Sequence, residues 1–317
     1  MEQKLAVVAI GRNYFGSKIP EQKLAVKEAA MAIADLVQAK YQVVITHSNS
    51  VQIGMIHAAM NEFAVHHPEF TPAPMSVCNA MSQGYIGYDL QNEIRTELLT
   101  RGVFKTVTTL ITQTKVDPFD NAFQTPVKPI GRVMSKEEAE KEVQKGNHVT
   151  GSDEEGYRRI VSSPKPVEIY ELDAIKALLA AGQIVVAAGG GGIPVLEQGV
   201  RLKGASAVIE KDEAAEKLAL DLGADTLIFL TAADKMVINE GKEGEKVLTN
   251  LSSDEAFKIL EQENLERHSS HPKLFAAADF ASKGEGRRSV ITSAEFLKAA
   301  LAGRAGTVIT EGGSTAC

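Results

Sequence analysis

The chain has 317 residues, of which 44% are hydrophobic and 24% are charged, and its formal net charge at pH 7 is -7. This is the composition of an ordinary globular protein, and the negative charge argues against binding nucleic acid through bulk electrostatics. The sequence has no signal peptide and no run of about 18 apolar residues, the length that a membrane helix needs, so we expect a cytoplasmic protein without membrane contact. Two distant cysteines, Cys78 and Cys317, fit no metal or disulfide framework.

Short apolar runs alternate with amphipathic stretches in the first part of the chain. Apolar residues recur at helical spacing within 21–39, which predicts a helix after the buried strand 5–10. The predicted elements of this part are strands at 5–10, 42–46 and 105–114 and helices at 21–39, 51–64 and 81–100.

The same alternation returns after residue 165. The predicted elements there are strands at 167–170, 183–188, 225–230, 289–292 and 306–310 and helices at 172–181, 212–221, 253–262, 272–282 and 293–302. Strands that alternate with helices predict an α/β fold with a mostly parallel sheet covered on both faces.

Residues 117–165 interrupt this alternation. The stretch contains four prolines and the charged run 136–145, with few apolar residues. Because such a segment cannot bury much apolar surface by itself, we predict a protruding subdomain or lid rather than part of the core.

A run of four glycines, Gly189 to Gly192, directly follows the apolar strand that ends at Ala188. Ligands of open α/β sheets bind beyond the carboxyl ends of the strands, and glycines let backbone amides approach an anion closely. A flexible turn is the alternative. We favour a loop that binds a ligand, with Gly191 and Gly192 in contact with it.

The segment Ile209-Glu210-Lys211-Asp212 lies at the start of a predicted helix. A lysine between two acids at a helix amino terminus can hold a phosphate while an acid orients the lysine. Taken alone, the segment is more typical of a solvated helix cap.

Two further lysines lie in rigid settings. Lys128 stands in Thr125–Gly131, which two prolines stiffen, and Lys273 follows Pro272 at the start of a predicted helix. Rigidity could fix the Lys128 ammonium group over a substrate, although a plain surface loop is the alternative.

Two predicted turns between a strand and a helix carry polar residues, where phosphates are commonly bound. They are Gly11-Arg12-Asn13 and His47-Ser48-Asn49-Ser50. Neither turn has the glycine density of a phosphate cradle, and the sequence contains no GxxxxGK[ST] or GxGxxG motif. His47 and His57 have no further ligands at metal spacing, so we expect no metal held by the protein alone.

Taken together, the sequence resembles the carbamate kinases of the amino-acid-kinase superfamily, from about residue 4 to residue 310. The segments that carry the resemblance are Ser82-Gln83-Gly84-Tyr85-Ile86-Gly87-Tyr88, Thr112-Gln113, Val116-Asp117-Pro118, Lys128-Pro129-Ile130-Gly131, Tyr157-Arg158-Arg159, Ser163-Pro164-Lys165-Pro166, Gly189 to Pro194, Lys211-Asp212 and Ala305-Gly306-Thr307-Val308-Ile309. The order and spacing of so many segments make a chance similarity untenable.

The resemblance implies one amino-acid-kinase domain over residues 1–317, folded as a three-layer αβα sandwich and paired as a homodimer. It implies the reaction ATP + carbamate ⇌ ADP + carbamoyl phosphate with Mg²⁺, in arginine catabolism. Lys128 would contact carbamate and the transferring phosphoryl group, and Lys211 and Lys273 would neutralise charge on the nucleotide phosphates. Asp212 or its neighbour would organise the catalytic lysines. Phosphoryl transfer depends mostly on positioning and electrostatics, which suits such a set.

The resemblance also implies that Asn13 and Asn49 position the substrates, and we assign Gly11, Arg12, Ser48 and Ser50 to the same phosphate-binding turns. The chain departs from the family pattern in these turns. The family has Gly-Gly-Asn where this chain has Gly-Arg-Asn, and His-Gly-Asn-Gly where it has His-Ser-Asn-Ser.

A third family segment, Gly-Ser-Met-Gly-Pro-Lys, is replaced by His268-Ser269-Ser270-His271-Pro272-Lys273. A Cβ atom where a backbone amide should touch a phosphate weakens that contact, and Arg12 or the two histidines could instead supply donors. Three hypotheses follow. The chain is an active carbamate kinase, a catalytically impaired homologue with a binding or regulatory role, or, least favoured, a kinase for another small acid.

Overall fold

The computed structural model describes residues 3–16, 18–241, 243–263, 265 and 270–312. The strands are β1 (Leu5–Ile10), β2 (Gln42–His47), β3 (Val107–Thr109), β4 (Gln113–Lys115), β5 (Lys128–Met134), β6 (His148–Ser152), β7 (Gly156–Val161), β8 (Glu168–Ile169), β9 (Ile184–Val186), β10 (Ile193–Gln198), β11 (Arg201–Gly204), β12 (Thr226–Leu230), β13 (Met236–Ile238), β14 (Lys246–Leu248), β15 (Asn250–Ser252), β16 (Arg288–Thr292) and β17 (Thr307–Thr310). The α-helices are α1 (Arg12–Phe15), α2 (Ile19–Gln38), α3 (Ser50–His66), α4 (Met75–Thr100), α5 (Lys136–Gln144), α6 (Leu172–Ala180), α7 (Lys211–Asp221), α8 (Ser253–Gln262), α9 (Ser270–Ser282) and α10 (Leu297–Leu301).

An eight-stranded sheet forms the centre of the molecule, in the order β15-β17-β16-β12-β1-β2-β9-β3. Its pairs are parallel except for β16 with β17. Strand β1 lies in the middle and all six of its residues are buried. A strand covered on both faces reads as a continuous apolar run, which is why the sequence predicts it so clearly.

Helices cover both faces of this sheet. Leu5, Val7 and Ala9 of β1 belong to a core shared with α6, α7, α8 and α9. The alternate residues of β1 face a second core shared with α2, α4 and α10. Because successive side chains of a strand point to opposite faces, the two cores lie on either side of the sheet. The predicted α/β class, with three layers and a mostly parallel sheet, is confirmed.

The predicted strand 105–114 is divided between two sheets. Strand β3 lies at the edge of the central sheet, whereas β4 joins a four-stranded sheet in the order β11-β10-β4-β8. Residues 110–112 separate the two strands, and the Thr112 N–H donates to Gln83 Oε1 (2.8 Å). A run of β-branched residues predicts extended backbone but does not show where the chain changes its partner strand. The prediction of one continuous strand was therefore wrong.

A separate antiparallel sheet, in the order β5-β7-β6, forms within the stretch predicted to protrude. Helix α5 packs beside it and begins with a capping box in which Ser135 and Glu138 each bond the other's backbone N–H. Ile130 and Val161 of the small sheet are buried against Ile53 and Cys78 of the main body. We call residues 128–161 the small subdomain; the wider limits 117 and 165 stay a prediction.

None of the helices in the described part of the chain has the length and apolarity to cross a bilayer.

Candidate functional site

A cavity of about 340 Å³ opens beyond the carboxyl ends of β1, β2 and β12. Gly11, Ser48 and Thr231, which follow these three strands, line its floor, and Lys128 reaches it from the small subdomain. This is the edge of an open α/β sheet where ligands are expected. Lys128, Lys211, Asp212 and Lys273 all line this cavity.

Lys211 and Asp212 are the first two residues of α7 and form an ion pair inside the cavity wall. Only 10% of the Lys211 side chain and 5% of the Asp212 side chain are exposed. The Lys211 ammonium also lies 5.8 Å from the centroid of the Phe229 ring. Buried charges of this kind are tolerated when each has a partner, so the pair is a fixed part of the site and not a solvated cap.

Asp212 is the electrostatic centre of the cavity. Burial by itself raises the pKa of this carboxyl, but the positive charges of Lys211, Lys273 and Lys128 outweigh burial and hold its pKa below the ordinary value. Attraction by three lysines shows that their charges converge on one carboxylate. Asp212 is therefore ionised at neutral pH.

Lys128, the first residue of β5, forms an ion pair with Glu210. Both side chains are largely buried, with 14% and 13% of their surface exposed. The pair joins the small subdomain to the main body across 82 positions of sequence. Glu210, the residue immediately before α7, thus holds the lysine of the small subdomain beside the Lys211–Asp212 pair.

Lys273 lies in the first turn of α9 and also lines the cavity. The cavity thus brings together three lysines that the sequence singles out in separate segments. The three come from β5, α7 and α9, and no two of these elements are neighbours in sequence.

The two polar turns lie side by side. The Gly11 N–H donates to Leu230 O (2.9 Å), and the Ser48 N–H donates to Ile10 O (2.9 Å). Gly11, Arg12, Ser48, Asn49 and Ser50 all line the cavity.

One predicted site residue of these turns, Asn13, has its side chain outside the described part of the structure. Ser50, in contrast, is well placed: its Oγ is buried and has no hydrogen-bond partner among the described residues. A bound ligand is one source of such a partner.

The Asn49 side chain is fixed by hydrogen bonds to helix α4. Its Nδ2 donates to Asn79 Oδ1 (2.9 Å) and to Ser82 Oγ (2.8 Å), both on α4. Its amide orientation is therefore set by buried polar groups before any ligand arrives.

The glycine run contributes less to the cavity than its sequence suggests. Gly190 lines the cavity, but Gly191 and Gly192 do not. The N–H groups of Gly191 and Gly192 donate within the loop, to Ala188 O (2.9 Å) and Gly189 O (3.1 Å).

The glycines instead make room for their neighbours. A Cβ atom at position 190 would overlap the Asn49 side chain, and one at 191 would lie 2.8 Å from Ile209 Cβ. Gly190 also has φ +66° and Gly191 φ +89°, which side chains rarely adopt. The glycine run is therefore needed so that the Asn49 side chain and the segment before Lys211 can pack closely against this loop.

His47 is buried behind the cavity floor and stays neutral. Burial lowers its pKa to about 4, against a raising effect of the hydrogen bond to the Ser48 carbonyl, and the charge of Lys211 lowers it further. Its ring stands edge-on to Phe15, with centroids 6.3 Å apart. It serves as a packed polar residue of the floor.

Sequence reasoning missed two charged residues of the cavity, Lys235 and Glu240. It considered Glu210 only as one of the two acids beside Lys211, and did not predict its pairing with Lys128. Lys235 follows β12 by five positions, and its place beyond a carboxyl end was the signal available.

In the described residues, no group of three or more His, Cys, Asp or Glu side chains is arranged to hold a metal ion. Three carboxylates line the cavity: Asp212 and Glu210, which are paired with lysines, and Glu240. Mg²⁺ is commonly bound by one or two carboxylates together with substrate phosphates and waters. The donor set fits a magnesium ion that arrives with a nucleotide.

Residues 4–293 match the model of the amino acid kinase family. The carbamate kinase-like protein YqeA of Escherichia coli is 47% identical to the chain over 306 residues, which cover 96% of the chain and 99% of that protein. The carbamate kinase of Clostridium perfringens is 46% identical over 285 residues, 89% of the chain and 90% of that enzyme.

Among solved structures, the carbamate kinase from Giardia lamblia bound to AMP-PNP is similar, with a TM-score of 0.87 and 33% identity. The match covers 97% of this chain and 98% of that one.

Proposed function

Because the chain belongs to the carbamate kinases of the amino acid kinase family, we propose that it transfers a phosphoryl group between ATP and carbamate, with ADP and carbamoyl phosphate as products. The observation that carries the proposal is the convergence of Lys128, Lys211 and Lys273 on one cavity around Asp212. Phosphoryl transfer needs little covalent chemistry from a protein, and a fixed set of cations around the transferring group supplies most of what it needs.

Each lysine has a role that its position supports. Lys211 and Lys273, from the main body, would neutralise the nucleotide phosphates, and Lys128, from the small subdomain, would contact carbamate and the transferring group. Glu210 holds Lys128 and Asp212 holds Lys211 in place when no ligand is bound. Because these lysines are already largely buried, an arriving phosphate can replace the carboxylates with little further desolvation of the lysines.

Two serines and an arginine stand where the family pattern has glycine, and all three face the cavity. We propose that Arg12, Ser48 and Ser50 donate to substrate oxygens in place of backbone amides. The buried Ser50 Oγ, which has no partner among the described residues, supports this role. The alternative of an impaired homologue gains no support from a cavity that keeps Lys128, Lys211, Asp212 and Lys273.

We propose Mg²⁺ as the cofactor, carried in with the nucleotide and held by at most one or two protein carboxylates, of which Asp212 and Glu240 line the cavity. The ion would neutralise charge on the nucleotide phosphates when bound. The protein's own part is to orient the phosphates and to exclude competing water.

The assembly and setting are proposals that rest largely on family membership. Val77, Met81 and Tyr88 are exposed apolar residues spaced along one face of α4, which supports a homodimer formed there. Replacement of Met81 by glutamate should give monomers in analytical ultracentrifugation; an unchanged mass would contradict this face. We further propose a role in arginine catabolism in the cytoplasm.

The reaction is tested by following ATP formation from carbamoyl phosphate, ADP and Mg²⁺. We expect turnover by the wild-type chain and a fall of about 10²–10³ in kcat for Lys128→Met, the usual loss when one charge-stabilising donor is removed. Lys115→Met is the matched control, because Lys115 is also a strand lysine paired with a glutamate, Glu197, but does not line the cavity. A folded wild-type chain that forms no ATP would overturn the proposal.

A further inference from the structure

The small subdomain meets helix α3 along a seam, which we define as Ile53, Gly54 and His57 of α3 against Ile130, Gly131 and Arg159 of the small sheet. From this seam we infer that Gly54 is a positioning residue: its lack of a side chain sets how far Lys128 reaches into the cavity. The inference rests on the proposed function, since it assigns Lys128 to the transferring group.

The closest point of the seam is a contact between two backbones. A Cβ atom at Gly54 would overlap the Cα atom of Gly131 and lie 2.7 Å from its nitrogen. Carbon atoms in ordinary contact are about 3.5–4.0 Å apart, so even an alanine would push strand β5 away by roughly 1 Å. Neither atom can move aside as the end of a flexible side chain could.

Gly54 lies inside a 17-residue helix, where glycine is a poorer choice than alanine. The backbone contact gives a physical reason for it. Gly131, across the seam, has φ +70° and starts an irregularity in the pairing of β5 with β7. Such a bulge bends its strand and re-aims the side chains next to it.

Both sides of the contact are joined directly to the cavity. Ser50, at the start of α3, is one helical turn before Gly54, and Lys128, at the start of β5, is three residues before Gly131. A displacement at the seam therefore passes along short, regular backbone to both cavity residues. An enzyme can lose about 10²-fold in rate from a 1 Å misplacement of a reacting group.

A second contact holds the outer part of the seam. Arg159 Nη1 lies 3.2 Å from His57 Nδ1. Ile53 and Ile130 belong to one buried apolar cluster and also line the cavity. The seam is thus held by apolar packing as well as by this polar contact, which leaves the subdomain little freedom to absorb added bulk at position 54.

The test compares Gly54→Ala with Ala59→Leu. Ala59 lies in the same helix α3 but is exposed to solvent, so the added bulk there does not meet the small subdomain. Each variant is assayed well below its own melting temperature, so that all molecules are folded. Two quantities are measured: kcat with KM for ADP, and the amide hydrogen exchange of residues 128–134.

For Gly54→Ala we expect kcat to fall about 10²-fold while KM for ADP changes less than about threefold, because Lys211 and Lys273 lie outside the seam. Exchange should quicken at least tenfold in 128–134 and stay unchanged in β1. Ala59→Leu should behave as wild type. Wild-type kcat together with unchanged exchange in Gly54→Ala would overturn the inference.

Two provisions keep the test decisive. If wild type forms no ATP, the proposed function fails, but exchange in 128–134 still decides whether Gly54 sets the position of β5. If Gly54→Ala does not fold, Arg159→Met removes the outer contact without adding bulk at the glycines. That variant should lower kcat about tenfold at constant KM for ADP, and an unchanged kcat would refute the seam's role.

Discussion

Replacing Asp212 by asparagine removes a negative charge that attracts three lysines of the cavity, with almost no change of shape. In the wild type, Asp212 pairs with Lys211, and only 10% and 5% of the Lys211 and Asp212 side chains are exposed. After the change, Lys211 remains buried without its counter-charge. Lys273 and Lys128, whose charges also act on Asp212, lose their attraction to it.

The size of the effect follows from burial. Removing one partner of a buried ion pair destabilises a protein by about 3–5 kcal/mol, because the other charge is left uncompensated. The Asp212 pKa is held below its ordinary value in the folded chain, so the carboxylate's contribution is present above the unfolded pKa near 3.8 and is lost as pH falls through the folded value. The difference in free energy of unfolding between wild type and Asp212→Asn should therefore be largest at pH 7 and should shrink below pH 4.

The affinity for phosphate ligands should rise in this variant, whereas its stability falls. The variant cavity gains a net positive charge, so pyrophosphate or ADP should bind about tenfold more tightly, equal to about 1.4 kcal/mol. Urea unfolding at pH 7 and pH 3, with calorimetric titration of pyrophosphate, measures both effects. Equal stability at pH 7, or weaker pyrophosphate binding, would refute the account of Asp212 as the centre of a cationic site.

Three further substitutions test separate parts of the account. Arg12→Gly should weaken ADP binding about tenfold at low salt, and by less at high salt, if Arg12 contacts the phosphates; tighter binding would mean that Arg12 obstructs them. Lys273→Met should lower kcat for ATP formation about 10²–10³-fold, and a rate within threefold of wild type would exclude Lys273 from the reaction. Burial and neighbouring Asp279 raise the pKa of Glu216 to about 8. The folded chain therefore keeps the Glu216 proton to a higher pH than the unfolded chain does. The free energy of unfolding of the wild type should accordingly fall as the pH rises from 4.5 to 8. In urea unfolding, the free energy of unfolding should fall less between pH 6 and pH 9 for Glu216→Gln than for the wild type. An equal fall would contradict the assignment of this pH dependence to Glu216.

The sequence predicts the elements whose apolar pattern is unambiguous. Strand 5–10 and helix 253–262 have the predicted bounds because the strand is a continuous apolar run and the helix buries apolar residues at helical spacing. The small sheet was not predicted as a sheet. Strand β6 is mostly exposed and contains Thr, Gly and Ser, so it has no apolar alternation to reveal it.

The site was predictable as a set of lysines but not as a set of pairs. Lys128, Lys211 and Lys273 stand in local settings that suggest anions, and family resemblance joins them. The pairing of Lys128 with Glu210 depends on how the small subdomain docks, which no local pattern contains. The glycine run misled in detail because glycine allows close approach of either a ligand or a neighbouring side chain, and here Asn49 and Ile209 take most of the space.

A crystal structure of the chain with Mg²⁺ and AMP-PNP tests the central claim most directly. The terminal phosphate should lie in contact with both Lys211 and Lys273, and Lys128 should face it from the other side. A nucleotide whose phosphates lie outside the cavity bounded by these lysines would contradict the account.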